Sequence, residues 1–280
     1  MEYHADRFID YSVLCFRDQI LVAICPAHKV GEELKSHWGL TYGGVLWGSD
    51  VSYIESLELA DLFKKHLRDE GFKTLRIKGV PEFYLNEGLK SRSADLYLDA
   101  IMNHSEFVYA IDYSQPLSIH KTKLKHYKKG QLKGFQIECT SDFSAFWIEV
   151  LIPRLQSKHQ VRPVHSLEEI SWLASRFPHK IMQYNISLNG RILAGITLFD
   201  KGKVVKSQYG ATTIQGEKLR ALEFLFLYLI YKYKSEGRAY FSMGTAGDKR
   251  FPDGINPGLR KQKEELGCSE YRQQFYTFNL

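Results

Sequence analysis

Gln19-Ile20-Leu21-Val22-Ala23-Ile24 and Arg191-Ile192-Leu193-Ala194-Gly195-Ile196 are two versions of one apolar stretch, 172 positions apart. Three further pairs follow in the same order. Lys35-Ser36-His37-Trp38-Gly39 matches Lys206-Ser207-Gln208-Tyr209-Gly210, Glu70-Gly71 matches Glu236-Gly237, and Gly79 matches Gly244, at separations of 171, 166 and 165. Any one match could be chance. Four in one order, on matching elements, argue for duplication of a single unit.

The elements around these matches read alike. In the first half, Tyr11 to Phe16 and Gln19 to Ala27 predict two strands about a turn at Arg17-Asp18, and a third strand near Leu34 to Trp38 leads into Gly39-Leu40-Thr41-Tyr42-Gly43-Gly44. Ser52 to Glu70 has helical spacing, with Ile54, Leu57, Leu59, Leu62, Phe63 and Leu67 expected inward; Gly71 ends it, and Thr74 to Ile77 is a strand. In the second half, Lys180 to Leu188 and Arg191 to Phe199 flank Asn189-Gly190, a hairpin turn because both residues accept positive φ. Val204 to Tyr209 is a strand, Glu217 to Lys234 a helix apolar nearly all round and so buried, and Ala239 to Met243 a strand. Between the halves, Ile119 to Gly134 carries Lys121, Lys123, Lys125, Lys128, Lys129 and Lys133 and reads as a basic helical linker. Asp142 to His159 is expected as a helix with Pro153 as a kink, and Ser166-Leu167-Glu168-Glu169 is a capping box opening a short helix. The expected boundaries are 1–118 for the first unit, 119–134 for the linker and 135–280 for the second unit.

Composition limits the function classes. The 280 residues are 44% hydrophobic, enough for packed cores, and the formal charge of +6 permits an anionic partner without demanding one. Cys15, Cys25, Cys139 and Cys268 form no CxxC pair and have no zinc-like His spacing, so they read as buried thiols of a reducing cytoplasm, and no metal is expected. Met1 to Asp6 is no signal peptide, and the longest apolar run, Ala221 to Tyr231, is broken by Glu223 and too short to span a bilayer. There is no nucleophile elbow and no Walker loop.

Four stretches carry a resemblance: Asp6 to Ser12, Gly39 to Gly44, Arg162 to Glu169, and the tail from Phe241-Ser242-Met243-Gly244-Thr245 through Asn256-Pro257-Gly258-Leu259 to Lys263-Glu264-Glu265-Leu266-Gly267. Together with the duplicated unit they resemble the FemAB-like branch of the GNAT acyltransferases, in particular uncharacterised members of bacterial polysaccharide and cell-wall clusters. The resemblance implies an α/β fold of two tandem GNAT-like units, each a mixed, mostly antiparallel sheet flanked by helices. It implies a cytoplasmic enzyme that moves an acyl group, aminoacyl or acetyl, to an amine of a cell-wall or surface-polysaccharide precursor. The alternatives are a CoA-dependent N-acetyltransferase of a small amine and a catalytically silent glycan- or RNA-binding protein. Such family members often carry more residues before the Asp-Arg-Phe stretch, so the first unit is expected to be shortened. No tightly bound cofactor is expected. The donor is acetyl-CoA or another acyl-CoA, or an aminoacyl-tRNA. Where CoA-binding relatives have a glycine-rich pyrophosphate loop, this chain has Gln215-Gly216-Glu217-Lys218-Leu219-Arg220, with side chains at both glycine positions, which speaks against CoA.

Acyl transfer requires a polarised carbonyl, a stabilised oxyanion and a base. By the resemblance, Lys263 faces the reacting acyl group; by its neighbours Arg260, Lys261 and Glu264 it is a solvated lysine of a charged helix. Tyr209 could donate its hydroxyl or be a core aromatic. His165 could be a general base or a structural histidine. Thr245, Asn256 and Arg260 lie on or beside a loop that could orient an anion, and His37, Tyr42 and Arg162 complete the set expected to bind substrate. Expected partners are a sugar-nucleotide or lipid-linked precursor, a peripheral membrane contact, and tRNA phosphates along Lys121 to Lys133; that linker is otherwise a solvated charged helix.

Overall fold

The computed structural model describes residues 5–85, 99–248 and 250–280; part of the N-terminal lead, residues 1–4, lies outside them. Two compact units emerge, one of residues 1–107 with 271–280, the other of residues 108–270. These bounds differ from the expected ones at both ends, because the final strand of each sequence copy is built into the unit of the other copy.

In the first unit, strands β1 (Ile9–Asp10), β4 (His28–Val30), β5 (Glu33–Lys35), β7 (Thr74–Lys78) and the C-terminal β14 (Ser269–Asn279) form a sheet in the order β1-β4-β5-β7-β14. The hairpin of β2 (Val13–Arg17) and β3 (Ile20–Cys25) is diverted into a small sheet with β6 (Leu46–Trp47). Helix α1 (Tyr53–Asp69) starts as the sequence requires: Ser52 Oγ accepts from Glu55 N at 3.2 Å, and Glu55 Oε2 accepts from Ser52 N at 3.4 Å. It buries Ala60 and Leu67 but leaves Ile54 and Leu62 exposed, contrary to their expected inward place. Cys25, Leu34, Phe72, Leu75, Ile77 and Phe278 fill the core. Cys139, expected buried, is exposed.

In the second unit the order is β8-β13-β12-β11-β10-β9, with β8 (Ile101–Asp112), β9 (Gln136–Thr140), β10 (Ile181–Leu188), β11 (Arg191–Asp200), β12 (Val204–Thr212) and β13 (Tyr240–Thr245). The expected basic linker is helix α2 (Lys121–Gly130) and belongs to this unit. The expected 142–159 helix is a short turn α3 (Ser144–Phe146), a π-helical turn (Trp147–Leu151) and α4 (Ile152–His159), so Pro153 sits where the wide turn reverts to α. Helix α5 (Leu167–Arg176) has the full capping box of Ser166 and Glu169. The long apolar helix is split: α6 (Ile214–Leu219) and α7 (Ala221–Ser235) meet at Arg220, which has φ +58. Helix α7 is buried through Ala221, Leu225, Leu227, Leu229 and Ile230. Helix α8 (Pro257–Glu265) precedes the last strand.

The duplication shows in the register. Strand β5 runs parallel to β7 with Lys35 opposite Arg76, and β12 runs parallel to β13 with Lys206 opposite Ser242. In both copies the parallel pair then parts. In the first unit the gap is filled. Ser36 N donates to Arg76 O at 2.8 Å, Lys78 N to Ser36 Oγ at 3.3 Å, and Gly43 N to Lys78 O at 2.7 Å. Gly43 must be glycine, since a Cβ there would lie 2.2 Å from the Ser36 carbonyl oxygen. Gly43→Ala is expected to destabilise the protein by about 2–3 kcal/mol, as overpacking against backbone does; chemical denaturation measures it.

Candidate active site in the second unit

Past the Lys206–Ser242 pair, β12 continues from Ser207 to Thr212 bonded to β11 alone. A bulge between Thr197 and Leu198 leaves Gln208 without an opposite residue, which adds twist where β12 leaves its neighbour. On the other side of the gap β13 has its own bulge between Ser242 and Gly244, and Gly244 takes φ +69.

That bulge brings three consecutive carbonyls within reach of one side chain. Lys263 Nζ donates to Met243 O at 2.6 Å, Gly244 O at 3.1 Å and Thr245 O at 2.6 Å, and lies 5.5 Å from the centre of the Tyr109 ring. Lys263 is 6% exposed, so it is not a solvated member of a charge run. Burial pushes its ammonium down to about 8. An ammonium has three hydrogens, and here each has a carbonyl acceptor. Direct polarisation of an acyl group, the role implied by the resemblance, would require giving one up. The geometry fits a residue that positions the β13 side of the gap. In the first unit Gln273 Nε2 does the equivalent, donating to Gly79 O at 2.8 Å and Thr41 O at 3.2 Å.

The sequence candidates Tyr209 and His165 meet. Tyr209 Oη accepts the His165 backbone N–H at 3.2 Å and lies 2.6 Å from His165 Nδ1. The hydroxyl oxygen has two lone pairs, so while accepting that N–H it can donate to Nδ1 or accept from it, according to the tautomer of the ring. Trp147 fixes the pair: its indole N–H donates to His165 O at 3.2 Å, and its ring meets Tyr209 edge-on at 5.3 Å. The register carries this polar row across the sheet, for Tyr209 is opposite Thr197, whose hydroxyl donates to Gln183 Oε1 at 2.7 Å.

A groove of about 660 Å³ opens where β12 ends, lined by Gly210 to Thr212, helices α4 and α6, and Leu259 and Gln262 of α8. Its volume lies in the range of small-molecule sites. Arg154, Lys158, Lys218 and Arg220 face it against Glu217 and Glu223. Arg154 and Lys158 pair with Glu217, and Arg220 with Glu223 at 3.5 Å. Arg220 opens α7 without a side-chain cap, so the first amides of that helix add positive potential. The sequence reading treated Lys218 and Arg220 as obstructions to a pyrophosphate and passed over Arg154, Lys158 and Gln262. A basic pair at i,i+4 on α4 was the available signal.

The remaining sequence candidates stand elsewhere. Asn256 caps α8, accepting from Gly258 N and Leu259 N at 3.0 and 3.1 Å, and its amide donates to Asp248 at 3.3 Å. Arg260 is held by Glu264 and Glu270 at 2.8 and 3.0 Å. Both are engaged in building the helix and loop rather than turned to a ligand. Thr245 lends its carbonyl to Lys263, and Arg162 is exposed. His37 and Tyr42 belong to the first unit. His37 is buried 4.9 Å from the Phe8 ring and 5.3 Å from that of His28, and Tyr42 lies against Tyr84 with its hydroxyl pushed up to about 12 by burial. Among the described residues no His, Cys, Asp and Glu group could hold a metal ion, and no helix is long and apolar enough to cross a membrane.

No protein-family model and no curated protein matches the chain. Solved structures do. FemX is similar at 13% identity with a TM-score of 0.69, over 99% of this chain and 89% of that one. The C-terminal domain of a protein described as a lysylphosphatidylglycerol synthetase from Agrobacterium fabrum is similar at 14% identity and TM-score 0.64, over 96% and 83% of the two chains. A protein described as L-PGS from Bacillus licheniformis is similar at 15% identity and TM-score 0.64, over 91% and 80% of the two chains. At these identities it is the fold that is shared: the chain has the fold of FemX.

Proposed function

We propose that the protein is an acyltransferase that moves an acyl or aminoacyl group from a phosphate-bearing donor to an amine of a cell-wall or surface-polysaccharide precursor, and that the reaction takes place in the gap of the second unit. The observation that carries this is the contrast between the copies. The first gap is closed by Ser36 and Gly43, while the second ends in a basic groove. The donor would lie in the groove with its carbonyl against the β12 edge beyond Lys206, where backbone amides free of β13 can meet a developing oxyanion. The acceptor amine attacks the carbonyl carbon, the C–N bond forms, and the electron pair moves to oxygen. Collapse then expels the donor's thiolate or ribose alkoxide, which takes up the proton that the amine has released. The ammonium proton passes to Tyr209 Oη as that hydroxyl gives its own hydrogen to His165 Nδ1, a relay whose 2.6 Å contact is already made. One of the similar structures is described as the C-terminal domain of a lysylphosphatidylglycerol synthetase, which supports aminoacyl transfer. The acceptor on this reading is a sugar-nucleotide or lipid-linked amine, met at the membrane surface in the lipid-linked case.

The test offers the protein radiolabelled acetyl-CoA or aminoacyl-tRNA with an amino-sugar nucleotide or a lipid-linked muropeptide. Label is expected to move to the acceptor amine from one of the two donors. No transfer from either, with both acceptors, would sink the proposal.

A further inference from the structure

Helix α2 and the α6–α7 junction enclose a second, smaller concavity of about 140 Å³, which shares Lys218, Arg220 and Glu223 with the donor groove. Lys129 and Lys133 of α2 and the following turn line its far side. Taken together the two concavities present six cations, Arg154, Lys158, Lys129, Lys133, Lys218 and Arg220, to two carboxylates, Glu217 and Glu223. The carboxylates are already committed. Glu223, nearly buried, holds Lys123 at 2.5 Å, Arg220 at 3.5 Å and, when its ring is protonated, His126 at 3.3 Å. Lys133 Nζ donates to the Leu219 carbonyl at 3.1 Å, which ties the α2 side to α6. Lys129 and Lys218 are exposed and have no carboxylate within ion-pair reach among the described residues. Cations gathered around a concavity with too few anions leave a positive potential that an anionic ligand relieves. At about 30 Å³ for each water, the space equals that of four to five waters, room for one phosphoryl group with a few of its waters.

We infer that this concavity is a second phosphate station, with Lys129 and Lys218 as its principal ligands, and that a donor lying in the larger groove reaches it past Arg220. The donor therefore carries two separated phosphoryl groups. This inference rests on the donor groove proposed above. Two sources have that chemistry: a 3′-phosphorylated nucleotide carrier, and successive phosphodiesters at the end of an RNA.

Binding is read directly, apart from transfer. Adenosine 3′,5′-bisphosphate, CoA, dephospho-CoA and a single-stranded RNA hexamer are titrated against the native protein, Lys129→Glu, and Lys128→Glu as an exposed control on the same helix. Lys129→Glu is expected to weaken the bisphosphate about 10-fold while Lys128→Glu leaves it within 2-fold. A matching loss for CoA but not for dephospho-CoA assigns the station to the nucleotide carrier. A loss for the hexamer, with a salt dependence shallower by about 0.7 to 1.4 in slope, assigns it to RNA. Equal losses in the two variants, no loss in either, or no binding of any probe by the native protein overturns the station. If the station stands and no acyl transfer is found, the transferase reading alone has failed. If transfer is found and Lys129→Glu binds both donors normally, the station alone has failed.

Discussion

Lys263→Met is expected to lower acyl transfer at least 100-fold and to destabilise the protein by about 3 kcal/mol, roughly 10 °C in Tm. The methionine roughly preserves volume but leaves the carbonyls of Met243, Gly244 and Thr245 buried with no donor. Each uncompensated carbonyl costs about 1–3 kcal/mol, offset in part by relief of the ammonium's desolvation. The effect on rate follows from geometry, because the β13 bulge forms one wall of the gap. A positioning role predicts that kcat and KM both change, and that the rate of the native enzyme falls above about pH 8 as the amine loses a hydrogen. Stability carries the opposite sign. The folded pKa of about 8 lies below the unfolded value of 10.5, so between these the unfolded chain holds more protons and the unfolding free energy rises with pH. The burial penalty is fully present below pH 8. From pH 8 to 9 the native protein should gain about 1 kcal/mol relative to Lys263→Met. Tyr109 and Cys268 are the other titratable groups facing the amine. Burial first, then its bond to Glu270, raises the Tyr109 hydroxyl, and burial pushes the Cys268 thiol up to about 12, so neither ionises in that window. A native rate that is flat to pH 10, or a Lys263→Met protein as stable and active as the native one, would remove Lys263 from the site.

Much of the fold was legible in local chemistry. The Asn189-Gly190 turn, the capping box at Ser166 and the hairpin near Arg17-Asp18 all rest on contacts within a few residues, and all form as read. The exchange of final strands was not legible. Nothing in Ile101 to Asp112 or Ser269 to Asn279 says which parallel pair it will flank, because strand pairing is non-local. The break at Arg220 was hidden too, since an arginine with φ +58 has no sequence signature, whereas glycine would have. At the site, the pairing of Tyr209 with His165 depends on a separation of 44 residues that only the fold closes. Lys263 looked exposed because its neighbours in sequence are charged; its carbonyl partners are 18 to 20 residues away and become acceptors only through the bulge. The cations of the two concavities come from three segments, α4, the α6–α7 junction and the α2 side, so no single window of sequence contains them.

Gly210→Leu is expected to abolish donor binding, by at least 100-fold, while changing stability by only about 1 kcal/mol. Gly210 stands on the stretch of β12 that pairs with β11 but not with β13, is exposed, and forms part of the groove wall. A Cβ there would meet the Phe226 ring edge at 3.3 Å and the Ile196 side chain at 3.8 Å, contacts that a ring tilt can absorb. The added isobutyl group then occupies space the donor needs, and a 100-fold loss corresponds to about 2.7 kcal/mol of binding. This separates the two copies by experiment. In the first unit the tight glycine, Gly43, serves the packing that closes the gap, so its replacement is predicted to reduce stability. In the second unit the glycine serves the opening, so its replacement is predicted to reduce binding. Were Gly210→Leu to bind acetyl-CoA and aminoacyl-tRNA as the native protein does, the groove at the end of β12 would not be the donor site. The contrast between a filled and an open gap would then describe packing alone. Loss of binding with the fold intact by circular dichroism would place the donor on the side of the sheet where the second copy departs from the first.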